Sequence, residues 1–217
     1  MTGEKVKTNI LSVQMLPNAD PLLLKSLKVP KAHRSLGIFT TDCDDVSYAA
    51  LDEATKKADV QVVYARSMYA GSGNASTALA GEFIGILSGP DPSEVKSGLD
   101  AAISYIENDA SFYTANDDGS VVYFAQLISR TGTYLSKEAG VKPGSSLAYL
   151  IAPPMEAIMG LDAAVKSSGA EIALFYGPPT ETNFAGGLLT GEQSMCKDAC
   201  EAFARTIEQI AVMPLNY

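Results

Sequence analysis

Apolar runs of strand length recur along the chain, separated by polar turn formers and by longer stretches with helical spacing. Residues 36–40 and 147–152 predict two buried strands. Residues 60–64 and 171–176 alternate apolar and polar positions as half-buried strands do, and 82–87 and 186–189 predict two more. After the first strand, a helix running to about Lys57 carries Ala50, Ala54 and Ala58 on one face, with Asp44 or Asp45 as its cap. Asp91-Pro92-Ser93-Glu94 reads as a capping box with proline at the first helical position. Val95, Leu99, Ala102, Ile103 and Ile106 then mark the buried face of that helix. Cys196, Ala199, Phe203 and Ile207 mark the same face of a second helix, opened by Thr190-Gly191-Glu192-Gln193.

These elements come in two collinear sets. Ser35-Leu36-Gly37-Ile38-Phe39 aligns with Ser146-Leu147-Ala148-Tyr149-Leu150 at an offset of 111. Leu51-Asp52-Glu53-Ala54-Thr55-Lys56 aligns with Leu161-Asp162-Ala163-Ala164-Val165-Lys166 at 110, and Gly85-Ile86-Leu87-Ser88-Gly89 with Gly187-Leu188-Leu189-Thr190-Gly191 at 102. The falling offset gives the first copy a longer loop between Val63 and Gly85. In the leaders, Leu16 and Leu24 lie 111 residues before Leu127 and Leu135. Self-similarity at such a period marks repeated domains. The expected boundaries are 8–109 and 120–212, with the turn formers Asn116-Asp117-Asp118-Gly119-Ser120 as linker. Helices on one face of a mixed sheet make the expected class α+β, twice over.

Composition narrows the function. Of 217 residues, 47% are apolar and 19% charged, enough for a sizeable core, and 16 basic against 25 acidic residues leave a net charge of −9. Residues 1–34 carry +4 and the remainder −13, so no basic surface for nucleic acid or an anionic membrane is expected. His33 is the only histidine, which excludes multi-histidine metal sites and leaves no ordinary catalytic triad. Beside Lys31 and Arg34, it reads as a partly exposed loop residue. Cys43, Cys196 and Cys200 form no C-x-x-C; they read as reduced, buried thiols of a cytosolic protein. Neither a signal peptide nor an apolar run of membrane-spanning length is present in the sequence.

Several segments outside the generic strand and helix pattern carry a family likeness. They are Asp42-Cys43-Asp44-Asp45-Val46, Val63-Tyr64-Ala65-Arg66-Ser67-Met68-Tyr69-Ala70-Gly71 and Ser129-Arg130-Thr131-Gly132-Thr133-Tyr134-Leu135-Ser136. Ala152-Pro153-Pro154-Met155-Glu156-Ala157 and Pro178-Pro179-Thr180-Glu181-Thr182-Asn183-Phe184 complete the set. With the tandem repeat, the chain from about Ile10 onward resembles the tandem-domain bacterial microcompartment shell proteins of the ethanolamine-utilisation type. Propanediol-type shell proteins are the nearer rival, and a ligand-binding regulatory module the more distant one. The resemblance implies circularly permuted βαββαβ (ferredoxin-like) domains and a homotrimer serving as a pseudo-hexameric tile. It also implies a gated central pore, other shell proteins as partners and a place in a cytoplasmic microcompartment shell. No enzyme activity, cofactor, catalytic residue or metal is expected.

The candidate ligand is small and cationic. An alkylammonium bearing a hydroxyl needs carboxylates, a hydroxyl or carbonyl partner and an aromatic face. The likeness to ethanolamine-binding members implies Asp45, Glu82, Phe112 and Thr182, with Asp44 as the alternative to Asp45. The bland reading of residues 42–45 is a helix cap with solvated charge; the cluster lacks the glycine and terminal glutamate of an EF-hand loop. For the pore gate, the same likeness implies Tyr69, Gly71 and Asn74 in a Gly/Ala/Ser-rich run, and Thr180 and Phe184 in the second copy. That run resembles a phosphate-binding loop only superficially, because no Gly-Lys-Ser/Thr follows.

Overall fold

The computed structural model describes residues 1–68, 79–178 and 180–215. In chain order the elements are β1 (Lys5–Val6), β2 (Ile10–Leu16), α1 (Pro21–Ser26), β3 (Ser35–Thr41), α2 (Asp44–Lys57), β4 (Gln61–Ser67), β5 (Phe83–Gly89) and α3 (Pro92–Asn108). There follow β6 (Phe112–Thr114), β7 (Val122–Ile128), α4 (Thr133–Ala139), β8 (Ser146–Ala152), α5 (Pro154–Ser168), β9 (Glu171–Tyr176), β10 (Ala185–Gly191) and α6 (Gln193–Val212). The order β2-α1-β3-α2-β4-β5-α3 is thus repeated as β7-α4-β8-α5-β9-β10-α6.

The sheets repeat the same pairing. One runs β2-β3-β5-β4; the other runs β7-β8-β10-β9 and is extended past β7 by β6 and β1. Among the described residues every pairing is antiparallel, which corrects the expected mixed sheet. Apolar strings report that a strand is buried against helices and carry no information about its direction.

Contacts divide the chain into two units: Thr8–Ala110 with Gly132–Leu135, called here the first unit, and Met1–Lys7, Ser111–Thr131 and Ser136–Tyr217, the second. The turn formers at 116–120 close the β6–β7 hairpin inside the second unit, where Ala115 N donates to Val121 O at 2.8 Å. In the first unit, Leu36, Phe39, Leu51, Phe83, Leu87, Val95 and Leu99 are buried. Gly37 lets α3 lie close on β3: a Cβ there would stand 2.8 Å from Val95 and Leu99. In the second, Leu150, Leu161, Leu189, Phe203 and Ile207 form the core with Cys196 and Cys200, both free thiols whose pKa burial raises.

Three local expectations need correction. The N-cap of α2 is Cys43, and Asp44 and Asp45 occupy the first turn, where their charge suits the helix dipole. The box at α3 is half formed: Asp91 accepts from Ser93 N and Glu94 N, but the Glu94 carboxylate turns to Asp59 N at 2.7 Å. His33 is 8% exposed, its Nδ1 2.9 Å from Ser88 Oγ, so a hydroxyl on β5 holds the ring inside.

Candidate functional site

The β3–α2 junction gathers carboxylates. Asp42 accepts from both the backbone N and the Nδ2 of Asn9 at 2.7 Å, which fixes the chain before the helix. Asp44 Oδ1 accepts from Asp45 N at 2.9 Å, and both residues are 7% exposed. Glu82 enters from the start of the neighbouring strand, its backbone N donating to Thr41 O at 2.8 Å and its carbonyl accepting from Met68 N at 2.6 Å. Burial, and then the charges of Asp44 and Asp42, push the Glu82 carboxyl up to about 7. Among the described residues no cation forms an ion pair with Glu82. Like charges in a poorly solvated place disfavour full ionisation, and a cation would relieve that cost.

Tyr48 completes this corner. It lies three and four residues beyond Asp45 and Asp44, hence on the same face of α2. Its hydroxyl is 2.8 Å from Ser67 Oγ, and burial, with a lesser effect of the two aspartates, raises its pKa. An i, i+3/i+4 reading of the helix would have found it; the sequence analysis did not.

The remaining candidates lie in the second unit. Phe112 stacks on Phe124 at 5.2 Å between centroids and meets Phe184 edge-on at 5.9 Å. Thr180 ties off the turn before β10: its hydroxyl is 3.0 Å from Phe184 O and 3.2 Å from Phe184 N. Thr182 is half-buried in that turn, whose next residue, Asn183, takes a left-handed φ of 62°. The structure therefore brings Asp44, Asp45 and Glu82 together in one unit, and Phe112, Thr180, Thr182 and Phe184 belong to the other. Tyr69, Gly71 and Asn74 lie outside the described residues. Among the described residues, no group of three or more His, Cys, Asp or Glu is arranged to hold a metal ion, and no helix is long and apolar enough to cross a membrane.

A duplicated β-α-β-α-β-β-α domain with a carboxylate corner defines a class before it defines a protein. Residues 35–116 match the BMC domain family, so the repeated unit is a microcompartment shell domain. The chain is 56% identical to the bacterial microcompartment shell protein EutL of Clostridium perfringens, over all of both chains. It is 45% identical to EutL of Escherichia coli K12, over 97% of this chain and 96% of that one. The crystal structure of the ethanolamine utilization protein EutL from Leptotrichia buccalis superposes with a TM-score of 0.97 at 61% identity, covering 100% of both chains. This chain belongs to the EutL family of bacterial microcompartment shell proteins. Its role is structural, in a shell, and not that of an enzyme.

Proposed function

We propose that this shell protein of the ethanolamine-utilisation microcompartment acts as a gated tile that senses a small alkylammonium metabolite of the ethanolamine class. Three copies form a homotrimeric ring of six shell domains around a pore, next to other shell proteins. The gate is Tyr69, Gly71 and Asn74 with Thr180 and Phe184, and the ligand is held by Asp44 or Asp45 and Glu82, with Phe112 and Thr182 as further partners.

The observation that carries the reading is the state of Glu82: a carboxyl pushed up to about 7 beside Asp44 and Asp42. A bound ammonium contributes a charge-assisted hydrogen bond and lowers the cost of that crowding. The edge-on contact of Phe112 with Phe184 supports a link between ligand and gate, since a ligand biases a gate by its differential affinity for the two states.

Titration calorimetry tests it. Ethanolamine binds saturably, Asp45→Asn and Glu82→Gln each weaken it about tenfold or more, and Phe112→Ala and Thr182→Ala weaken it as well. Because the ligand needs Glu82 ionised, affinity rises about tenfold from pH 6 to pH 8. Ethylene glycol, uncharged, binds far less well. Equal binding of the two compounds, or no effect of the carboxylate substitutions, overturns the ligand site and leaves the shell role standing.

A further inference from the structure

The carboxylate corner depends on two pieces of chain: the first turn of α2, which carries Asp44 and Asp45, and Glu82 at the start of β5. The main chain of Glu82 is held on both sides. Its N–H donates to Thr41 O at the end of β3, and its carbonyl accepts from Met68 N just past the end of β4. Gly81, with a left-handed φ of 64°, permits that approach, because a Cβ there would collide with Thr41 O. These bonds fix Glu82 to its sheet. They leave open how β4, the edge strand on that side, is held to the helix that brings the aspartates.

Tyr48 supplies that tie. Asp45, Tyr48 and Asp52 stand at i, i+3 and i+7 of α2 and so share one face. The Tyr48 hydroxyl lies 2.8 Å from Ser67 Oγ. Ser67 is the last residue of β4 and pairs with Phe83, the residue after Glu82. The Tyr48 ring meets the fully buried Phe83 ring edge-on, with centroids 4.9 Å apart. One side chain of α2 therefore touches both of the strands that hold Glu82. Burial, with the charges of Asp44 and Asp45 adding to it, raises the Tyr48 pKa, so the phenol keeps its proton.

The ring has a second support. Asp52, one turn further along the same face, is fully buried and accepts from Gly132 N at 2.7 Å and Leu135 N at 2.8 Å. Thr133 N donates to Thr55 Oγ1 at 3.0 Å. These bonds lay residues 132–135 along α2. Tyr134, between the anchored positions, stacks on Tyr48 with centroids 6.2 Å apart and the planes 18° from parallel. Residues 132–135 follow β7 in the chain and yet pack within the first unit, where the corner lies.

We propose that Tyr48 is a positioning residue of the ligand site: through Ser67 and Phe83 it sets where Glu82 stands relative to Asp44 and Asp45, and residues 132–135, anchored on Asp52, hold it there. Its part is to fix the spacing of the carboxylates, not to contact the ligand. Two carboxylates grip one ammonium best when they already stand at the required separation, because little ordering is then left to the binding step. Keeping them there without a ligand means keeping like charges close, and the tie supplies the restraint. Once it is cut, Glu82 moves away from Asp44 and Asp42 and gains water, which relieves the crowding and weakens the grip. The inference deepens the ligand reading above and rests on it for the nature of the ligand.

Two measurements test it and separate it from that reading. The Glu82 carboxyl titration, followed by carbon-13 NMR and assigned with Glu82→Gln, has its midpoint at about 7 in the wild-type protein. Tyr48→Phe and Ser67→Ala remove the same hydrogen bond from either end, and each lowers the midpoint by about half a pH unit or more. The double variant goes no lower than either single one. Tyr134→Ala lowers it as well. Ser67→Thr, which keeps the hydroxyl, leaves it in place, and so does Tyr123→Phe, which loses a tyrosine bond to Glu208 in the second unit. At pH 8, where Glu82 is mostly ionised in every variant, Tyr48→Phe weakens ethanolamine binding about fivefold by calorimetry. Midpoints that stay or rise, or wild-type affinity in Tyr48→Phe at pH 8, overturn the positioning role and leave Tyr48 a packing residue. A wild-type midpoint in the ordinary carboxyl range overturns it too. A wild-type protein that binds no ethanolamine overturns the ligand reading, and the midpoints then decide the positioning by themselves.

Discussion

Glu82 and Asp52 are both carboxyl groups whose pKa burial raises, yet they serve different ends. Around Asp52 two backbone N–H groups partly offset the desolvation, and Lys56 lies 3.6 Å away, so the charge is held in place by donors. Asp52→Ala leaves the N–H groups of Gly132 and Leu135 without that acceptor, at a cost of about 1–3 kcal/mol in urea unfolding; the relief of a buried charge keeps the loss from being larger. Glu82 has carboxylates around it instead. A raised carboxyl pKa means that the folded state holds its proton more tightly than the unfolded chain. The sign follows: stability falls as pH rises from the ordinary carboxyl range through about 7. Glu82→Gln flattens that fall, and saturating ethanolamine restores stability at pH 8, both read from thermal unfolding across pH 5–8. A wild-type profile that climbs between pH 5 and 8 contradicts the assignment.

The helices differ in how their ends are secured. Asp91 caps α3 with two side-chain bonds, whereas α2 and α6 begin without one. At the end of α1, Lys28 adopts the left-handed conformation that Gly140 adopts after α4. A side chain there costs conformational energy that glycine avoids, so Lys28→Gly stabilises the fold by about 0.5–1 kcal/mol, measured by chemical denaturation. Gly132→Ala does the reverse, because its Cβ would run into Thr55 Oγ1 and stand 2.6 Å from Asp52 O, a backbone atom that cannot swing aside as a side chain does. Leu22 and Leu23 make α1 apolar on its exposed side without any return in burial within the chain.

For the molecule as a whole, association and stability are linked. In the proposed ring, contacts that form only between folded chains raise the unfolding temperature with protein concentration. The wild-type protein therefore melts higher at ~100 μM than at ~1 μM, read by differential scanning calorimetry; an unfolding temperature independent of concentration contradicts the ring. Each chain brings a net charge of −9, so copies repel at long range. Raising ionic strength from ~0.01 to ~0.15 M shortens the Debye length from about 30 to about 8 Å and strengthens association; weaker association in salt would show that ion pairs hold the copies together.

Periodicity in the chain was enough for the order β3-α2-β4-β5-α3 and for the strands of its repeat, with β9 at its observed bounds and β3, β8 and β10 to within a residue or two, because burial on one face imposes spacing on apolar residues; it gave no sign of β1, β2, α1, β6, β7 or α4. The repeat was visible for the same reason: two copies that bury the same face keep the same order of small and apolar residues. The absence of a second histidine excluded whole classes of chemistry with no structure at all. Strand direction, the antiparallel pairing and the hairpin that absorbs residues 116–120 were set by hydrogen bonds between distant segments, which leave no local pattern. The same holds at the candidate site. Asp44 and Asp45 stood out as charges near a helix start, but their burial, the approach of Glu82 from a neighbouring strand and the face shared with Tyr48 arise when β3, α2 and β5 pack. The leader segments show the same limit: the alignment pairs them at 111 residues, whereas the bonds Val29 N to Leu24 O and Val141 N to Ser136 O put them at 112, because leucines at 22, 23 and 24 are interchangeable in an alignment and only the backbone bond closing each short helix tells them apart.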